Sequence, residues 1–385
     1  YLINKFEEKY RKVNSKITYF FLSGRIDRIN QFDSYPEEMF YGFNYLKSSK
    51  LDISLIEAKK TKFRNFLQLN IEDKVSYHLQ LPLFFSYYFS LRNIYLFIKS
   101  KHVVFTNHRV GSSLLPIIFI SKLILKKPKI SVFIMGLFKK SPKYKILVLF
   151  KKFLVAYLFN NSENIYFLGL EEFNFAKNNY KKFSDKFKYY PFSVDLNFWS
   201  SGNSSKKDLI LFVGNDGNRD YKFLKELVSN MPNQQFIILS NHFDKKDFKM
   251  PNCQLIQGSF SKQGISDTEL RELYRQSLIT IIPLKDSIQP SGQSVALQSL
   301  ACGTPVVISD TIGFWDKENF IHEKNIYFTK ENNINNWINT LLEIKNLSKR
   351  NYENLIKNGT TLVTSKYNLE DFHEKFLKEI IEQSE

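Results

Sequence analysis

Residues 278–309 constrain the fold of this chain more than any other stretch. Leu278–Pro283 is a short apolar run rich in β-branched residues, and Thr304–Ser309 is a second, as parallel strands buried on both faces require. Between them Val295, Leu297, Leu300 and Ala301 form one apolar helical face, and Gly303 followed by Pro305 stops it. Strand, loop, helix and strand make a βαβ unit, the building block of a doubly wound α/β sheet. The loop Ser291-Gly292-Gln293-Ser294 places a glycine and small polar side chains where the helix begins. Free N–H groups and the positive end of the helix dipole then suit a phosphate. A serine-capped helix without any ligand carries the same local pattern.

The same alternation extends along the chain. Asp208–Val213 predicts a strand, and the loop Gly214-Asn215-Asp216-Gly217-Asn218-Arg219-Asp220 leads to a helix over Tyr221–Ser229. The glycines let backbone approach a ligand closely, and Arg219 at the helix entrance can neutralise a diphosphate. Strands follow at Gln235–Ser240 and Gln254–Gln257, the latter running into Gly258-Ser259-Phe260. Asp267–Gln276 is an amphipathic helix whose Glu269, Arg271, Glu272 and Arg275 read as a solvated face. Asn325–Phe328 completes the edge, helices over Asn332–Ile344 and Asn346–Val363 cover it, and a last helix runs to Ile381. In the first half Lys16–Leu22 is a strand ending in Ser23-Gly24-Arg25, and Pro36 opens a helix over Glu37–Ser48. Leu51–Ile56 is the next strand and Ser76–Ile98 a long aromatic-rich helical region. Val103–Thr106 ends in Asn107-His108-Arg109, where a parallel sheet presents ligands, and Arg109 can bind an anion bidentately. Ile130–Met135 and Asn164–Leu168 complete that set of strands, and Ser200–Lys207 reads as a flexible linker.

With those motifs in view, the chain resembles GT-B glycosyltransferases of the family-4 kind. The resemblance rests on Gln298-Ser299-Leu300-Ala301-Cys302-Gly303-Thr304-Pro305-Val306-Val307, where the family ends its helix Glu-Ala-Met-Ala-Cys-Gly-Thr-Pro-Val-Val. Tyr190-Pro191-Phe192-Ser193-Val194-Asp195 is similar to the family's Pro-Asn-Gly-Val-Asp. The resemblance implies an α/β GT-B fold: two facing Rossmann-like doubly wound domains and a C-terminal helix crossing back to the N-terminal domain. Domains are expected at residues 1–199 and 208–366, joined by the linker 200–207, with the crossing helix in 367–385.

The resemblance also implies roles. Gly24, Gly214, Asn215, Asn218, Arg219, Ser291, Gly292, Gln293 and Ser294 are expected on the donor and its phosphates, Gln298 on the ribose, and Gly258, Ser259 and Phe260 beside the nucleobase. His108, Arg219 and Asp286 are the catalytic candidates, and Arg25 and Arg109 the acceptor or anion contacts. The sequence departs from the family at three places. The two usual glutamates, eight positions apart, fall on Pro290 and Gln298, and Met135 precedes Gly136 where the family has His-Gly. Asn215 stands where the first phosphate-binding arginine is usual. Asp286, Gln289 and Gln293 are the side chains near Pro290 able to hold a sugar hydroxyl.

Charge is distributed unevenly. Of the 55 Lys and Arg and 38 Asp and Glu, residues 1–206 hold 34 and 15 while residues 207–385 hold 21 and 23. From Asp73 to Glu163 there is no acidic residue between, but 15 basic ones interleaved with Phe, Tyr, Leu and Ile. A basic and aromatic surface of this kind suits anionic lipid headgroups, each nearby cation contributing about 1 kcal/mol. A one-sided basic face also fits nucleic acid, but no helix-turn-helix, zinc-finger or RNA-recognition signature accompanies it. The two cysteines, Cys253 and Cys302, lie in core segments and fit a reducing compartment. No Cys/His metal spacing, Walker motif or Gly-x-Ser-x-Gly elbow is present.

The reading is a glycosyltransferase, hexosyltransferase-like and retaining, using a nucleotide sugar donor with no metal and no other cofactor. The acceptor is expected to be a glycan or lipid-linked molecule in cell-surface polysaccharide, lipopolysaccharide or glycolipid synthesis. The expected place is the cytoplasmic face of the membrane, held peripherally by the basic N-terminal domain, with no nucleic acid partner. A nucleotide-sugar epimerase of the same fold and a non-catalytic nucleotide-sugar-binding protein are the alternatives.

Overall fold

The computed structural model describes residues 16–31, 34–48, 51–202, 205, 207–248, 251–258 and 264–382. Contacts divide the chain into two units. One gathers Tyr1–Asp27, Met39–Tyr190 and His373–Glu385, and the other Arg28–Glu38 and Pro191–Phe372. The division after Tyr190 precedes the boundary expected at residue 199, because Phe192, Val194, Phe198 and Trp199 are all buried within the second unit.

The first unit is a six-stranded sheet built from β1 (Ile17–Phe21), β2 (Ile53–Glu57), β3 (His102–Phe105), β4 (Lys129–Ile134), β5 (Asn164–Phe167) and β6 (Phe187–Tyr189). Its order is β2-β1-β3-β4-β5-β6, and every pairing is parallel. Every residue of β1, β3 and β5 is buried, which explains why their sequences do not alternate apolar with solvent-facing residues. The helices in this part of the chain are α1 (Arg25–Gln31), which belongs to the second unit from Arg28 on, α2 (Phe43–Ser48), α3 (Lys62–Leu67), α4 (Asp73–Leu79), α5 (Phe85–Tyr88), α6 (Leu91–Lys99), α7 (His108–Ser113), α8 (Leu115–Leu123), α9 (Lys145–Asn161) and α10 (Leu170–Asn179).

Two long helices expected here are broken. The stretch Glu37–Ser48 is a 3-10 turn over Glu38–Phe40 followed by α2, because Tyr41 and Gly42 take left-handed φ of 51° and 79°. A Cβ on Gly42 would stand 2.7 Å from Leu377, so the close approach also requires glycine. Likewise Ser76–Ile98 is three pieces: α4 ends at Gln80 in a left-handed φ of 48°, and Pro82 cannot extend it.

The second unit contains β7 (Leu209–Val213), β8 (Gln235–Leu239), β9 (Cys253–Ile256), β10 (Ile279–Ile282), β11 (Val306–Ser309) and β12 (Tyr327–Thr329). They form a parallel sheet in the order β12-β11-β10-β7-β8-β9. Its helices are α11 (Tyr221–Ser229), α12 (Asp267–Gln276), α13 (Gln293–Ala301), α14 (Ile334–Lys345) and α15 (Lys349–Lys366). The last helix, α16 (Leu369–Glu382), begins in the second unit and ends in the first. The order reverses between β7 and β10, which opens a crevice at their carboxyl ends, the usual ligand position in open α/β sheets.

Of the charged face assigned to α12, Glu269 is exposed as expected, but the two arginines are tied to the chain. Arg271 Nη1 donates to Phe198 O at 3.2 Å, and Arg275 donates through Nε to Ser200 O at 2.8 Å and through Nη2 to Ser200 Oγ at 3.1 Å. These arginines fasten the segment entering β7 onto the second unit.

Candidate functional site

The loops after β7 and β10 meet at the reversal point of the second sheet. Asp220 N donates to Pro283 O at 2.9 Å and Lys285 N to Asn218 O at 2.8 Å. Asn218 Nδ2 donates to Ser291 Oγ at 2.6 Å. Both side chains are buried, so the two loops are clasped beside the start of α13. Gly292 is the residue before that helix, with a φ of 81°. Among Gly214, Asn215, Asn218, Arg219, Ser291, Gly292, Gln293 and Ser294, all expected on the donor, the structure brings Gly214, Asn218, Arg219, Ser291 and Gly292 into one cluster.

Arg219 is its centre. The residue is 2% exposed and its guanidinium lies between two glycines. A Cβ on Gly214 would stand 2.4 Å from Nε, and one on Gly292 would stand 3.4 Å from Nη1. Nη1 lies 3.0 Å from Asp216 Oδ2, at an angle that makes no hydrogen bond, and Nε has no hydrogen-bond partner among the described residues. Nη2 reaches Val213 O at 3.4 Å. A guanidinium carries five donors in a fork, and burying it with several unmatched favours an anion at that point. The N–H groups opening α13 add the positive end of the helix dipole.

The other expected residues fall differently. The Asn215 side chain ties three loops together: Oδ1 accepts from Asn241 N at 2.6 Å and Nδ2 donates to Gly258 O at 2.7 Å. His242 Nε2 lies 3.1 Å from Asn215 O, and its ring stacks on Tyr221 with centroids 4.1 Å apart. Gly258 is therefore at the same sheet end as Gly214, while Ser259 and Phe260 lie outside the described residues. Asp286 Oδ1 accepts from Ile312 N at 2.9 Å, which pins the turn before Gly313.

Gln298 sits in a buried network. Its Nε2 donates to Glu38 Oε1 at 2.9 Å, and Tyr274 OH donates to its Oε1 at 3.3 Å. Glu38 also accepts from Trp199 Nε1 at 2.8 Å and from Asp195 N at 3.3 Å. Burial pushes the Glu38 carboxyl up to about 7 against the hydrogen bonds that stabilise its anion. Sequence reading placed Glu38 in a helical first turn and missed this role, since its partners lie 157 to 260 positions along the chain. Where the family's second glutamate is replaced by Gln298, a carboxylate from elsewhere in the chain is hydrogen-bonded to the substituting amide.

In the first unit the sheet order reverses between β1 and β3, so the loops carrying Gly24 and Arg25 and carrying Asn107, His108 and Arg109 leave the same end of neighbouring parallel strands. Gly24 has a φ of 103°. The amides after it are already engaged: Glu57, the last residue of β2, accepts from Arg25 N and from Ile26 N, the latter at 3.3 Å. Arg25 Nη1 donates to Ser23 O at 3.1 Å. His108 opens α7, is 3% exposed, and is held neutral, burial first and then Arg109 and Lys151 pulling it down to about 3. Arg109 is exposed at that helix start, where its N–H donates to Asn107 Oδ1 at 2.9 Å. The turn after β4, in which Met135 stands for the family's His, is held by Glu172: Oε2 accepts from Gly136 N at 2.6 Å and Oε1 from Phe138 N at 3.3 Å. Glu172 is fully buried and raised to about 7, chiefly by desolvation. Its only sequence signal is a place in the first turn of a helix, which many solvated glutamates share.

Among the described residues no group of three or more His, Cys, Asp or Glu could hold a metal ion, and no helix is long and apolar enough to cross a membrane.

Comparison with known proteins follows the same division. Residues 193–362 match the family model described as "Glycosyl transferases group 1", and this segment lies wholly inside the second unit. No curated protein sequence matches the chain. Among solved structures, Anabaena HepE in complex with UDP-glucose is similar at a TM-score of 0.64 and 10% identity, over 95% of this chain and 99% of that one. Sucrose-phosphate synthase from Thermosynechococcus elongatus is similar at a TM-score of 0.64 and 14% identity, over 94% and 98%. A glycosyltransferase from Rickettsia africae gives 0.61 and 12%, over 96% and 98%. The chain has the GT-B fold of these glycosyltransferases, and its residues 193–362 match glycosyl transferases group 1.

Proposed function

We propose that the chain is a glycosyltransferase that moves a hexose from a nucleoside diphosphate sugar to an acceptor hydroxyl with retention, as in family 4. The observation that carries this is the buried Arg219 guanidinium between Gly214 and Gly292, at the sheet reversal and beside the N-terminus of α13. In the reaction the bond from the sugar's anomeric carbon to the diphosphate oxygen breaks, and the electron pair stays on that oxygen. Arg219 and the amides of Gly292–Ser294 meet the charge as it develops, where fixed donors have most effect. The acceptor oxygen bonds the anomeric carbon on the same face, and its proton passes to the departing diphosphate. The match to glycosyl transferases group 1 and the HepE complexes with UDP and UDP-glucose support a nucleotide sugar as donor.

The acceptor, by this reading, is a glycan or lipid-linked molecule bound by the first unit, with Arg25 and Arg109 as its anion contacts. The setting is cell-surface polysaccharide, lipopolysaccharide or glycolipid synthesis at the cytoplasmic face of a membrane, and the positive balance of residues 1–206 supports an anionic surface as partner. No divalent metal is required, because a guanidinium and helix amides supply positive charge at the leaving group.

The test is titration with UDP, GDP and ADP followed by transfer and hydrolysis assays with the corresponding sugars. Arg219→Ala is expected to weaken diphosphate binding by about 10- to 100-fold, the range of one buried charge-assisted pair. Full turnover is expected in excess EDTA. Nucleotide binding unchanged in Arg219→Ala overturns the site, and tight binding without turnover on any sugar favours a binding protein.

A further inference from the structure

Helix α9 is apolar on two faces: Val155, Leu158 and Phe159 are buried in the core of the first unit, and a second apolar face is left outside. Ile146, Leu149, Phe150 and Phe153 recur at the spacing of one helical face, and they are 71%, 62%, 48% and 62% exposed. On the opposite side Lys151 is 6% exposed, its Nζ donating to Lys140 O at 2.7 Å and Gln80 O at 2.8 Å. Neighbouring helices repeat the pattern: α9 packs on α4, and α3, contiguous with it through residues 68–72, exposes Phe63 and Phe66. A cluster of large apolar side chains in water marks a surface that something covers.

Charge selects what covers it. Lys143, Lys145 and Lys152 are exposed around the α9 stripe, and no acidic residue lies between Asp73 and Glu163 to balance them. A second copy would set like charge against like. Nucleic acid would match the lysines and gain nothing from four apolar side chains. An anionic bilayer matches both, with phosphates for the ammonium groups and the acyl boundary for the stripe. No described helix can span, so this one would lie in the plane.

We propose that α9 docks in the headgroup boundary of an anionic bilayer, with Ile146, Leu149, Phe150 and Phe153 inserted below the phosphates and Lys145 and Lys152 at their level. This rests on the membrane part of the functional reading and sharpens it, since attraction by charge alone leaves the stripe in water.

The experiment is co-sedimentation of the full chain with vesicles of phosphatidylcholine alone or mixed with phosphatidylglycerol, at low salt and at about 1 M salt, where the screening length falls to about 3 Å. Wild type is expected to bind the mixed vesicles at low salt and to keep a measurable part of that binding at high salt. Leu149→Ser with Phe153→Ser is expected to lower partitioning by about tenfold per side chain and to abolish the salt-resistant part. Its circular dichroism melt should be unchanged, because both side chains are already in water. Lys145→Gln with Lys152→Gln should lose the preference for anionic lipid. Binding by the serine variant equal to wild type, with loss in the glutamine variant, overturns insertion and leaves the charge reading standing. No binding of wild type to any vesicle overturns both. Light scattering that finds a lipid-free dimer broken by the serine changes makes a second copy the occupant and overturns the proposal.

Discussion

At the scale of single residues, burial decides chemistry that residue type leaves open. Glu38 and Glu172 are both removed from water and both raised to about 7, while His108 and His102 are lowered to about 3 by the same physical cause acting on a cation. A carboxyl whose folded pKa lies above its unfolded value contributes stability that is present at acid pH and lost as pH rises through the folded value. Glu38 therefore costs stability between about pH 4.5 and 7, while the buried histidines act oppositely below their ordinary value. The single substitution Glu38→Gln separates the two, because a glutamine oxygen can still accept from Trp199 Nε1 and Gln298 Nε2. Its stability relative to wild type is expected to rise between about pH 4.5 and 7, at about 1.4 kcal/mol per pH unit at most, and to level off above that, measured by calorimetry. A constant difference across that range would mean that Glu38 does not titrate there.

At the scale of elements, the decisive piece is the turn into α13. Gly292 has a φ of 81°, and a Cβ there would stand 2.7 Å from Ile282 Cγ2 on β10. Gly292→Ala is expected to cost about 1–3 kcal/mol through left-handed strain and crowding together. Because the shift moves the amides opening α13, diphosphate affinity should fall more than the melting temperature alone suggests, by about tenfold or more in titration calorimetry. Unaltered affinity would remove those amides from the site. The strand-loop-helix-strand pattern around Gly292 was legible because buried parallel strands carry a local apolar signature and a glycine before a helix carries a local conformational one. Arg219 was legible for the same reason, as a cation at a helix entrance. The broken helices at Tyr41 and Gln80 were not, since neither residue type announces a left-handed φ.

For the whole molecule, the chain returns to its beginning. Residues His373–Glu385 belong with the first unit, where Phe376 packs on Phe133 and Tyr166 at centroid distances of 5.0 and 5.2 Å. Glu379 accepts from Tyr166 OH at 2.6 Å and Tyr190 OH at 2.9 Å, and pairs with Lys188 at 2.8 Å. Phe376→Ala is expected to cost about 3–5 kcal/mol and to lower hydrogen-exchange protection in β4 and β5 while sparing β7 and β10. Equal loss in both sheets would show that the two units unfold as one.

By itself the sequence determined the doubly wound class, the pattern of parallel strands, the glycine-bearing loops at the strand ends and the charge asymmetry, because each is written in neighbours along the chain. Only the tertiary structure decided that Asn215 is a tie between loops, that Asp286 pins a turn, and that Glu57 already occupies the amides after Gly24. The same holds for Glu38 against Gln298 and for the outward apolar stripe of α9. These depend on which side of an element meets a partner tens to hundreds of residues away, and on how much water is left there, neither of which local composition contains.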